Sequence, residues 1–187
     1  MLKNLIIFTL IIISSSACKA QQPVPKISSD RLKINNTSYI LIKPDNKVTQ
    51  IINANNKLNN VKQIAPNLPF DIKIPDYRTF DKNLLLQICA ETISLTTLKK
   101  LPNGYGDWLF ITFKVDVTGK ILEMEFLVKN TSLITANDIQ KVEDRIMRSR
   151  FKVTFKKELE PYFVGANYFS IDAIVRYSDM LKVKERK

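Results

Sequence analysis

The chain contains no histidine, four glycines and two cysteines in 187 residues. Without histidine there is no Ser-His-Asp or Cys-His pair and no imidazole metal ligand. The glycines, at 104, 106, 119 and 165, make no phosphate-cradling loop. Two cysteines, Cys18 and Cys89, give no disulfide framework. Cys89 lies in the apolar stretch LLLQICAETI and reads as a buried small hydrophobe rather than a reactive thiol, since no base accompanies it. The residues therefore offer no catalytic set, no metal site and no cofactor motif. Acidic residues are also in deficit: Lys+Arg number 29 and Asp+Glu 18, for a net charge of +11.

What is present begins at the N-terminus. Lys3 precedes the apolar run Leu5–Ile13, and small residues Ser14–Ala17 lead to Cys18. A cation, a short apolar core and small residues before a cut make an export signal. The run falls short of the roughly 20 residues that span a bilayer. Two cuts fit. Ser16-Ala17 before Cys18 resembles the lipobox of bacterial lipoproteins, with Ser15 where an aliphatic residue is usual. Cleavage after Ala20 is the rival and would leave a soluble periplasmic or secreted protein. Lipidation of Cys18 is favoured because a polar segment, KAQQPVPK, follows at once and suits a tether. A diacylglyceryl group plus a further acyl chain on Cys18 anchors stably, so the membrane is reached by lipid alone. An exported basic protein meets anionic lipid and wall polymers, not nucleic acid.

The remaining chain is long enough for one domain with its own core. The expected map is signal 1–17, tether 18–37, hairpin and irregular extension 38–78, core domain 79–181 and charged tail 182–187. Residues 38–53 read as a hairpin around Pro44-Asp45-Asn46. Asn-rich NANNKLNN and Pro66, Pro69 and Pro75 then argue for irregular structure. A helix is predicted over 82–99, capped by Thr79 or Asp81, with Leu84, Leu85, Ile88 and Cys89 on one face. Residues 108–129 alternate on both sides of Asp116-Val117-Thr118-Gly119, which predicts an antiparallel hairpin with Leu122, Met124, Phe126 and Val128 inward. Thr135 and Asp138 have capping-box spacing, and Ile139, Val142, Ile146 and Met147 form the stripe of the next helix. Residues 169–177 alternate as a last strand. The order α-β-β-α-β, with an N-terminal hairpin, predicts an α+β two-layer sandwich: a mainly antiparallel sheet with helices on one face.

Residues 108–178 resemble the TonB C-terminal domain family: strand, a V-D-x-x-G-K turn (Val115–Lys120), strand, helix ending in Arg150-Phe151, and a final strand. The short tether resembles that of small lipoproteins of the Bacteroidetes. Classic energy transducers of the TonB family keep an uncut N-terminal helix with a Ser-x-x-x-His contact and a long Pro-rich spacer, and this chain has neither. The resemblance therefore implies the fold and a mode of binding: an exposed final strand, Tyr168, Phe169, Ser170, Ile171 and Asp172 foremost, pairing with an extended peptide.

Other candidates follow from charge. Arg145, Arg148, Arg150 and Lys152, with Lys156 and Lys157, form a basic cluster that suits an anionic group. Glu123 and Glu125, two apart on one strand, and Glu91 are the carboxylates available for acid–base work on glycans. Trp108, Tyr105 and Tyr162 are aromatic candidates for a groove. The favoured function is a non-catalytic cell-envelope lipoprotein that binds an envelope protein or an anionic wall or lipid surface. The alternatives are a carboxylate-dependent envelope enzyme and an accessory subunit of an envelope complex.

Overall fold

The computed structural model describes residues 28–72, 78–101 and 107–186. The signal, Cys18 and Tyr105 lie outside them. Six strands form one antiparallel sheet in the order β1-β2-β3-β6-β5-β8: β1 Ser28–Ile34, β2 Thr37–Lys43, β3 Val48–Asn53, β5 Trp108–Val115, β6 Ile121–Lys129 and β8 Phe169–Arg176. A second sheet pairs β4 (Arg78–Phe80) with β7 (Val153–Phe155). The helices are α1 Lys82–Thr92, α2 Leu95–Lys100, α3 Ala136–Arg148 and α4 Tyr177–Glu185, with a 3-10 helix at Lys157–Phe163. The α+β sandwich expected from the sequence is the fold observed.

The central hairpin explains the layering. Leu109, Ile111, Phe113 and Val115 of β5 face one side, joined by Met124, Phe126 and Val128 of β6 and Phe169, Ile171, Ala173 and Val175 of β8. All are buried in one cluster with Leu85, Ile88 and Cys89 of α1 and Ile139, Val142 and Ile146 of α3. Each such side chain contributes roughly 1.5–3 kcal/mol by leaving water. Asp81 caps α1 by accepting from the Leu84 N–H (2.9 Å), and Thr135 and Asp138 complete the capping box of α3.

Several expectations need correction. Residues 28–34, read as tether, form β1, which pairs with β2 through a two-residue turn with Asn35 at φ 51°. Asparagine tolerates that left-handed region. The N-terminal hairpin is no appendage, because β3 pairs directly with β6. The helix predicted over 82–99 breaks at Ile93-Ser94, where Ser94 caps α2 by accepting from the Thr97 N–H. Leu122 is exposed and Ile121 is buried, because the register shifts between Lys114 and Val115. Met147 likewise points outward. The expected charged tail is mostly α4, and Lys184 Nζ donates to the carbonyls of Ala90 (3.0 Å) and Ile93 (2.7 Å) at the end of α1. A cation there complements the helix dipole.

Candidate functional site: the edge of β8

The two edges of the sheet differ. β1 carries Asp30, Arg31 and Lys33, exposed charges of the kind that blunt an edge against pairing. β8 carries Ser170, Asp172, Ile174 and Arg176 on its outward face, and Ile174 is 61% exposed. In an antiparallel strand the N–H and C=O of one residue point to the same neighbour, alternating along the strand. The Ser170 carbonyl points away from β5, since it accepts from Arg78 Nη1 at 2.7 Å. By alternation the N–H and C=O of Asp172 and Ile174 also point away from β5. Among the described residues no strand pairs with them.

A groove of about 830 Å³ runs beside this free edge. Its walls are Asp172–Arg176 of β8, Arg78–Phe80 of β4 and Lys82, Asn83, Leu85 and Leu86 of α1, with Asp179 of α4. Asp172 accepts from Thr112 Oγ1 (2.9 Å), which fixes its carboxylate over the sheet. Most of the expected pairing stretch, Tyr168–Asp172, is engaged elsewhere. Tyr168 is buried and its hydroxyl donates to the Val61 carbonyl (2.8 Å). Asn167 bonds Lys62 and Ile64. Phe169 and Ile171 pair inward with Val115 and Phe113. Only Asp172 of the five lines the groove.

The basic cluster divides. Arg145 is paired with Glu91. Arg148 is exposed on the last turn of α3. Arg150 and Lys152 join Lys120, from the β5–β6 turn, along a shallow groove of about 480 Å³ floored by Ile146 and Phe151. Lys156 and Lys157 are exposed further along the chain.

Glu123 and Glu125 converge on a lysine, while Glu91 is the partner of Arg145. Lys114, 6% exposed, bridges Glu125 at 2.6 Å and donates to Asn59 Oδ1 at 3.0 Å, with Glu123 4.0 Å away. Glu123 also accepts from the backbone N–H groups of Lys57 and Leu58. This cluster fastens the 54–65 segment to the sheet. Trp108 packs edge-on against Phe110 (5.9 Å) and Tyr162 lies on the 3-10 helix, so the two aromatics line no common groove.

Glu143 is not singled out by the sequence. It accepts from the Tyr39 hydroxyl (2.5 Å) and from Asn53 Nδ2 (3.2 and 3.3 Å). Burial pushes its carboxyl above the usual range, against the lowering effect of those donors, and the Tyr39 hydroxyl is likewise raised by burial. A hint was available: Glu143 sits beside Val142 on the inward stripe. Gln140 is held similarly by Asn35 and Thr37. Among the described residues no cluster of His, Cys, Asp or Glu suits a metal, and no helix is long and apolar enough to cross a membrane.

No family model and no curated protein matches the chain. Its structure is similar to that of a DUF5043 family protein from Bacteroides uniformis, with a TM-score of 0.60 and 12% sequence identity. The match covers 80% of this chain and 85% of that one. At this identity the likeness extends to the fold alone.

Proposed function

We propose that the protein is a non-catalytic binding module of the cell envelope, tethered through a lipid on Cys18, that takes an extended segment of an envelope protein as an added strand on β8. The observation that carries this reading is the unpaired outward edge at Asp172 and Ile174 beside a groove. Backbone hydrogen bonds supply affinity in such additions, and flanking pockets supply selectivity. The TonB-like order of elements over 108–178 supports the same mode. The export signal and Cys18 support the location.

The test places a photo-cross-linking residue at Asp172 in cells, with and without Ile174→Pro. The Ile174 N–H faces outward, so proline there removes an edge donor without breaking a β5–β8 bond. One specific adduct, lost with Ile174→Pro, is expected. An adduct that survives the proline would count against strand addition. Mass spectrometry of the N-terminal peptide tests the anchor: acylated Cys18 is expected, and a start at Gln21 would show cleavage after Ala20 instead.

A second reading rests on the Lys120, Arg150 and Lys152 groove, which suits contact with an anionic wall polymer or lipid surface. It predicts adhesion to anionic vesicles that falls steeply with salt. Adhesion unchanged by salt would remove it.

A further inference from the structure

The β8 slot has one closed end. Arg78 is held by pairing of β4 with β7, opposite Phe155, and its Nη1 occupies the Ser170 carbonyl. A strand added along Ile174 and Asp172 would meet this guanidinium at Ser170 and could not continue past it. Beyond Ser170 the side chains of Tyr168 and Asn167 are already engaged by the 61–64 segment.

The direction of the added strand decides which of its ends meets Arg78. A parallel strand would bring its amino-terminal side there, and a terminal ammonium would face a guanidinium. An antiparallel strand runs from Arg176 toward Asp172 and brings its carboxy-terminal side. A guanidinium has five N–H donors in a planar fork that matches a carboxylate. Arg78 is bonded through Nη1 alone among the described residues. Lys82 lies in the same groove, which holds three cations (Arg78, Lys82 and Arg176) against Asp172 and Asp179.

We infer that the β8 slot receives the free carboxy-terminus of a partner polypeptide, antiparallel to β8, with the terminal carboxylate on Arg78. The inference rests on strand addition to β8 and adds the end, the direction and the register of the partner. Its last residue lies opposite Asp172. Two residues earlier a β-branched apolar residue lies opposite Ile174, whose exposed side chain it covers. Apolar pairs directly across two strands shed water.

The test titrates the full chain against three fluorescent peptides by polarisation. The first ends in Glu-Thr-Ile-Thr-Val with a free carboxylate. The second is its carboxy-terminal amide. The third carries the same sequence extended by Gly-Ser-Gly. The free acid is expected to bind at least roughly tenfold tighter than the other two, the scale of one charge-assisted hydrogen bond. Arg78→Met should remove that preference and Arg78→Lys should keep most of it, with unfolding midpoints confirming that both variants fold. Equal binding of all three peptides, or a preference that persists in Arg78→Met, overturns the carboxy-terminal inference and leaves strand addition standing. Failure of all three to bind overturns both.

Discussion

Two glycines with the same backbone conformation allow a direct test of the packing around the β5–β6 turn. Gly119 has φ 83° and Gly165 has φ 84°. A Cβ on Gly165 would meet nothing within 4 Å. A Cβ on Gly119 would lie 1.8 Å from the Val153 carbonyl oxygen, a backbone atom. The same turn is tied to β7 by the Val153 N–H, which donates to the Gly119 carbonyl at 3.0 Å. The left-handed conformation costs an alanine about 1–2 kcal/mol at either site. Reduced freedom of the unfolded chain offsets about 0.4–1 kcal/mol of that, again at both. Gly165→Ala should therefore lose about 0–1.5 kcal/mol. Gly119→Ala must in addition displace β7, at an overpacking cost of about 1–3 kcal/mol. Weakening of the Val153–Gly119 bond adds about 0.5–1.5 kcal/mol. Its total loss should be about 1.5–6 kcal/mol. Urea unfolding of both variants beside the parent, with equal slopes required, measures the difference. Losses within about 0.5 kcal/mol of each other would refute the close approach of the turn to β7.

Three further outcomes are expected. Because burial raises the Glu143 carboxyl in the folded state, its contribution to stability is fully present below the ordinary 4.5 and is lost as pH rises through the raised folded value. Glu143→Gln should therefore gain stability relative to the parent as pH rises from 4.5 to 8, in paired urea titrations; a pH-independent difference would contradict the buried, charge-averse setting. Lys114→Met leaves Glu125 and Glu123 without their cation and frees Asn59, so stability should fall by about 1–3 kcal/mol, and limited proteolysis should open the 54–65 segment first. Intact 54–65 in that variant would show that the lysine is not what fastens it. Burial pushes the Cys89 thiol up to about 12, so it should resist a thiol reagent at pH 8 in the native protein and react fully in urea; rapid native labelling would contradict its burial.

The sheet core and its helical cover were legible because their signals are local. Alternation in Leu109–Val115 and in Phe169–Val175, the Gly119 turn and the Thr135–Asp138 cap each specify an element without reference to the rest of the chain. Signals shared between distant segments were not legible. β1 shows weak alternation and becomes a strand by pairing with β2, across a turn that an asparagine rather than a glycine makes possible. The inward turn of Ile121 depends on a register shift opposite Lys114, which no period-2 count contains.

The candidate site divides the same way. Sequence alone determined that the final strand alternates, that a short apolar run and small residues precede Cys18, and that the chain contains no histidine. Tertiary structure decided that β8 lies at an edge, that Arg78 from a separate small sheet closes one end of it, and that the open stretch begins at Asp172. It also decided that Glu123 and Glu125 are spent on Lys114 and two backbone amides. The physical reason is range. Backbone conformation and side-chain periodicity act over a few residues. An edge, a closed end or a neutralised charge exists only once segments 50–100 residues apart have been brought within hydrogen-bond reach, as in the 92-residue separation between Arg78 and Ser170.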